Sequence, residues 1–164
     1  LLGSLYGRIV TAIRISKEFG LNATIEHATE AYLIADEVKA SGVPCIIGPT
    51  LGMASKYELV NKSFKSAKVM DDAGIEFAIM TDHPVITLDT TLVQAALFIK
   101  EGLGEFEALK ALTITAASIN GIEDRVGSLE VGKDADIVIW DGPIFDIMTR
   151  PKMVIIDGQI VHQR

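Results

Sequence analysis

The chain has 164 residues, which fits one ordinary domain and leaves enough interior for a real core. Hydrophobic residues make up 49% and charged residues 23%, a balance that excludes a disordered polypeptide. A net charge of -7 with no stretch that gathers Lys and Arg excludes a nucleic-acid partner, and no apolar run approaches the ~20 residues of a membrane span.

The first predicted element is a helix in "AIRISKEFG", with Ala12, Ile15 and Phe19 on one face and Gly20 as its stop. A short strand, "NATIEHA", follows. Thr29 is then expected to cap a helix whose Ala31, Ile34, Ala35 and Val38 share a face, closed by Gly42. "VPCIIG" reads as a strand buried on both faces, because its apolar residues are continuous. After the loop "PTLGMAS", residues 56–74 are expected to be helical, with Tyr57, Val60, Phe64 and Ala67 in a stripe. "IEFAIM" is the third strand. Strands alternating with helices across short connections imply parallel βαβ units and an α/β fold.

Beyond Pro84 the rhythm changes. Leu92, Ala95, Ala96 and Ile99 mark one helix, and shorter ones are expected over 105–112 and 114–119. From Gly121 the chain is β-like: Ile137–Trp140 reads as a buried strand, and Asp157-Gly158 between apolar runs signals a two-residue hairpin. The expected organisation is therefore an α/β part over residues 1–120 and a mostly β appendage over 121–164.

In a parallel α/β protein the side chains that meet substrate come from the carboxyl ends of the strands. His27 and Asp82 occupy that position in two units. Imidazole and carboxylate are ordinary ligands for zinc and similar divalent ions, and such a metal activates water for hydrolysis. His83 beside Asp82, and Thr50, Ser55 and Lys56 on the loop after the middle strand, are candidates for the substrate side. Each has a plainer reading: a hydrogen-bonded structural histidine, an aspartate that turns the chain, a solvated loop. His162 is expected to be exposed and inert, and Cys45 to be a small core residue. With one cysteine no internal disulfide is possible, which suits a reducing cytoplasm. No strand is followed by a glycine-rich phosphate cradle, which argues against a nucleotide-binding domain.

The segment "NGIEDRVGSLEVGKDADIVIWDG" strongly resembles the C-terminal signature of the amidohydrolase superfamily, the metal-dependent (β/α)8-barrel hydrolases, and "VIIDGQIV" looks like that family's last hairpin. The resemblance covers nearly the whole chain. It implies about three βα units from the C-terminal part of a TIM-like barrel, with "IEH" as the sixth strand and "MTDHP" as the eighth. His27 then matches a metal ligand, and Asp82 matches the aspartate that touches metal and hydrolytic water and carries the proton to the leaving nitrogen. The implied cofactor is a divalent metal, zinc first among them, and the implied substrate a small molecule with a non-peptide C–N bond. "IEHATEAYLIADE" and "SKYELVNKSF" look most like the branch near imidazolonepropionase and related cyclic-amide hydrolases.

The family's His-x-His, its fourth-strand ligand and its fifth-strand histidine have no counterpart among the three histidines here, and "LLGSLYGR" stands where the fifth strand would end. The chain thus reads as a piece of a longer enzyme, inactive alone or serving as a structural or interaction module. Its open sheet edges and mean hydropathy of +0.34 lead to the expectation of a homo-oligomer.

Overall fold

The computed structural model describes residues 5–54 and 56–164. Ser55 and residues 1–4 lie outside that range, and the reading placed on Ser55 with them; of the opening segment expected at the end of a strand, Tyr6–Arg8 are instead the first turn of a helix. The first part runs α1 (Tyr6–Phe19), β1 (Ile25–His27), α2 (Ala35–Ser41), β2 (Cys45–Ile47), α3 (Ser66–Asp72) and β3 (Phe77–Ile79). The three strands form one parallel sheet in the order β1-β2-β3. Ile25, Cys45 and Phe77 align across it, as do His27, Ile47 and Ile79. Helices α4 (Thr91–Lys100), α5 (Glu105–Leu112) and α6 (Ile114–Ile119) follow. A separate antiparallel sheet of β4 (Ile137–Trp140), β5 (Pro151–Ile156) and β6 (Gln159–Gln163) closes the chain.

Side chains alternate across a strand, so one face of the parallel sheet collects Ile25, Cys45, Ile47, Phe77 and Ile79. These pack with Ile9 and Ile13 of α1, Val38 of α2, Met70 of α3, and Phe98 of α4 into one core. Phe98 is fully buried, with the Phe64 ring edge-on to it at 5.3 Å. The other face carries Glu26, Ile46 and Ala78. Strand β2 therefore departs from the expectation of burial on both faces: Cys45 and Ile47 are buried, while Ile46 keeps partial exposure.

Helix α1 buries Ile9, Ala12, Ile13 and Ser16; of the expected Ala12, Ile15 and Phe19 only Ala12 is buried, Ile15 is half-buried and Phe19 is exposed. The true stripe begins one turn earlier and includes a serine whose hydroxyl is spent on the Leu21 carbonyl (3.0 Å). The first N–H of α1 is capped from afar: Glu30, on the loop after β1, accepts the Tyr6 amide (2.8 Å) and the Asn61 side-chain amide (2.6 Å). Thr29 does not cap the following helix; a 3-10 turn over Ala31–Ile34 leads into α2 without a side-chain cap.

The long helix expected over 56–74 is shorter. A 3-10 turn at Tyr57–Leu59 and irregular backbone precede α3, and Tyr57 and Val60 are exposed. Only Phe64 and Ala67 of the expected stripe reach the core. Strand β4 is half-exposed rather than buried, since nothing among the described residues covers Val138 and Ile139. The hairpin forms as expected: Asp157 and Gly158 take φ of 49° and 74°, the pair of left-handed residues that a two-residue turn between twisted strands requires. Asp136 accepts the Asp157 N–H (2.9 Å) and ties that turn to β4. No helix among the described residues is long and apolar enough to cross a membrane.

Candidate active site

Alternation along β1 would send His27 to the same side as Ile25, into the helix layer. The strand ends there: φ is 67° at His27 and 42° at Ala28. Left-handed conformations at non-glycine residues cost of order 1–3 kcal/mol and cluster at functional sites. The imidazole Nδ1 lies 3.2 Å from the Gly48 carbonyl oxygen. A carbonyl only accepts, so Nδ1 is the donor, which in the neutral ring leaves the lone pair on Nε2. This is how a protein fixes the tautomer and ring plane of a metal-binding histidine.

At the end of β2 the chain passes through Gly48, whose φ of 126° suits glycine. A Cβ there would overlap the Met80 carbonyl oxygen, so β2 and β3 approach each other more closely at this point than any side chain allows. The next turn is pinned by Gln94 of α4. Its side-chain oxygen accepts the N–H of Thr50 (2.8 Å) and Leu51 (3.3 Å), and its amide nitrogen donates to the Met80 carbonyl (2.8 Å). Gln94 and Thr50 are buried, so this loop is held rather than free.

Beyond β3, Thr81 is buried and Asp82 takes φ of 55°, a second left-handed residue at a strand end. The Asp82 carbonyl accepts the Val85 N–H (2.8 Å), and the Thr81 carbonyl the Ile86 N–H (3.3 Å), so a compact turn supports the residue. The half-exposed Asp82 carboxylate has no protein partner among the described residues. His83 is exposed.

A small cleft of about 10 Å³, room for about one water, opens at the ends of β1 and β2 and includes His27, Thr29, Thr50, Lys62 and Ser66 in its lining. Of the expected substrate-side residues, Thr50 belongs to this cleft with His27. Lys56 is exposed and does not line it. The cation that does is Lys62, which donates to the carbonyls of Leu51 (3.4 Å) and Gly52 (2.9 Å). Burial holds its ammonium below the usual lysine range. Lys62, Gln94 and Glu30 went unnoticed in the sequence; a polar residue inside the apolar run "LVQAALF" was the available sign for Gln94.

His27 ends one outer strand of a three-stranded parallel sheet, and Asp82 follows the other outer strand by three residues, Ile79 being the residue level with His27 across the sheet. As a donor set for a divalent metal they fit in kind: one imidazole with a free Nε2 and one unpartnered carboxylate. They do not fit in number, because zinc takes three or four ligands and no group of three or more His, Cys, Asp or Glu side chains converges among the described residues.

The amidohydrolase family model matches residues 9–161. The chain belongs to the amidohydrolase family. The crystal structure of an amidohydrolase from Thermotoga maritima MSB8 superposes with a TM-score of 0.95 at 42% identity, covering 99% of this chain and 43% of that one. An imidazolonepropionase of Streptococcus pyogenes serotype M49 (strain NZ131) is 32% identical over 123 residues, or 73% of this chain and 29% of its own length. The crystal structure of an adenosine deaminase from Xanthomonas campestris with bound zinc has a TM-score of 0.63 at 22% identity, covering 84% of this chain and 36% of that one, a likeness of fold alone. This amidohydrolase-family chain thus spans less than half the length of each of these relatives. The likeness implies a TIM-barrel-type fold for its parallel α/β part.

Proposed function

We propose that this chain carries the sixth- and eighth-strand part of the catalytic centre of a metal-dependent hydrolase acting on non-peptide C–N bonds, with cyclic amides as the substrate class. On this reading residues 1–120 are part of a barrel, residues 121–164 belong to a β-rich appendage, and the remaining ligands lie outside the described residues. The observation that carries the proposal is the pair of left-handed residues, His27 and Asp82, ending two strands of one parallel sheet with an imidazole Nε2 and a carboxylate both unclaimed. Family membership and the likeness to an imidazolonepropionase support it.

His27 Nε2 and Asp82 would hold the metal, with zinc the first choice on the donor set and on the zinc-bound deaminase of the same fold. When bound, a divalent ion polarises a carbonyl and makes water acidic enough to react near neutral pH. Asp82 is the general base: its carboxylate takes the proton of the attacking water and delivers it to the departing nitrogen as the C–N bond breaks. The Gly48 carbonyl holds the His27 ring in one tautomer throughout. Thr50, which lines the cleft with His27, is the substrate-side residue on this reading. His83 is a further substrate-side candidate at the same strand end as Asp82.

The test is turnover of cyclic amides by the protein and by His27→Ala and Asp82→Ala, with metal content measured in each. Both variants are expected to lose at least 100-fold in kcat/KM, and wild-type turnover in both would end the assignment. A second reading, a structural or interaction module without chemistry, is favoured by the shortage of converging ligands among the described residues; on that reading neither substitution changes any measurable property beyond stability. The outer edges of β1 and β3 have no strand partner among the described residues, which supports self-association. Sedimentation showing only monomer at high concentration would remove that part of the proposal.

A further inference from the structure

His27 ends β1 and Asp82 follows β3, two strands that do not pair, yet an unbroken chain of hydrogen bonds and backbone joins them. His27 Nδ1 donates to the Gly48 carbonyl, and the Gly48 amide returns to the His27 carbonyl (3.4 Å). Two residues on, the Thr50 and Leu51 amides end on the Gln94 side-chain oxygen, and the Gln94 side-chain nitrogen ends on the Met80 carbonyl, two residues before Asp82. Gln94 is fully buried on a helix whose other inward residues, Ala95 and Phe98, are apolar. A lone amide in such a face is costly unless its hydrogen bonds are made, and here all its partners are backbone groups of the two loops that frame the site.

We propose that Gln94 is a positioning residue: its side-chain amide locks the end of β2 to the end of β3 and thereby sets where His27 stands relative to Asp82. This rests on the hydrolase reading for its consequence, but the geometry it claims is measurable without turnover. Glutamine suits the role because it offers an acceptor with two lone pairs and a donor on one planar group. Neither leucine nor methionine at this position would link the two loops, though either would fill the space. Gly48 is part of the same device, since only a residue without a Cβ lets the β2 end lie against the Met80 carbonyl that Gln94 holds.

The test uses NMR on the full chain with three groups of reporters. The His27 ring proton reports the β1 end, the Thr50 and Leu51 amides the β2 end, and the Val85 and Ile86 amides the turn that carries Asp82. In Gln94→Met, hydrogen exchange at the four amides is expected to rise at least tenfold. The His27 ring nitrogens are expected to leave the Nδ1–H form for a mixture, while the amides of β5 and β6 keep their wild-type rates. Phe98→Leu, a core change on the same helix, controls for general loosening and leaves the His27 tautomer as it was. Gln94→Asn keeps the amide but is one methylene too short to reach both loops, so it is expected to release one pair of amides and keep the other. A wild-type tautomer with wild-type exchange in Gln94→Met overturns the proposal, and so does a uniform loss of protection in Gln94→Asn. Failure of the hydrolase reading would instead leave these NMR results intact and show as unchanged turnover in His27→Ala and Asp82→Ala.

Discussion

Replacing Gly48 by alanine adds one methyl group at the point where β2 and β3 come closest. The new Cβ would overlap the Met80 carbonyl oxygen and lie 3.1 Å from the Met80 carbonyl carbon and 3.2 Å from the Gln94 side-chain nitrogen. Two of these three are backbone atoms of a strand end, so relief has to come from moving the strand. Overpacking of this kind costs about 1–3 kcal/mol. The residue also sits at φ of 126°, and holding an alanine there adds about 1–3 kcal/mol more. The expected loss is about 2–6 kcal/mol, a large share of the roughly 5–15 kcal/mol that keeps a domain folded. Gly20→Ala is the control, because Gly20 also has positive φ (60°) but nothing within 4 Å of its added Cβ, so only the left-handed penalty of about 1–2 kcal/mol applies. Urea unfolding of both variants under identical conditions reads the difference, expected to be about 1–3 kcal/mol, the overpacking share. A Gly48→Ala variant no less stable than Gly20→Ala would refute the claim that close approach, rather than backbone conformation alone, governs this strand end.

The remaining expectations concern the core and the loop after β1. Burial pushes the Cys45 thiol up from 9.0 to about 12, so the fold retains a proton that the unfolded chain releases. Stability relative to Cys45→Ala should be flat below about pH 9 and fall as pH rises toward 12, while a thiol reagent labels only the unfolded chain at neutral pH. Phe98→Ala should cost about 3–5 kcal/mol, and a double-mutant cycle with Phe64→Ala should return a coupling of about 0.5–1.5 kcal/mol for their edge-on contact. Glu30→Ala removes the carboxylate shared by the Tyr6 amide and Asn61 and should cost about 1.5–3 kcal/mol in urea unfolding, whereas Glu30→Gln, which keeps an acceptor, should recover part of it.

What the sequence disclosed follows from which forces are local. The three short strands, the paired helices Glu105–Leu112 and Ile114–Ile119 and the Asp157-Gly158 hairpin were legible because apolar continuity and turn chemistry specify them within a few residues. The helix start expected at Thr29 and the long helix over 56–74 did not form, and residues there make contacts that no local pattern records: Glu30 is committed to α1 and to Asn61, and Lys62 to the carbonyls of Leu51 and Gly52. Placement of His27 and Asp82 at strand ends could be read from the pattern. Their left-handed backbone could not, because nothing in the apolar periodicity of either segment marks a positive φ at a non-glycine residue. Gln94 was hidden for a related reason: a period of hydrophobicity counts a glutamine as a surface residue, and only the two loops that meet it make it an interior one.

The central claim is that His27 and Asp82 belong to one metal-binding centre. Zinc-edge anomalous diffraction from crystals of the protein grown with zinc tests it directly. A single peak about 2.0–2.2 Å from both His27 Nε2 and an Asp82 carboxylate oxygen is the expected result. A zinc peak that touches only one of the two, or no peak at either residue, would contradict the account.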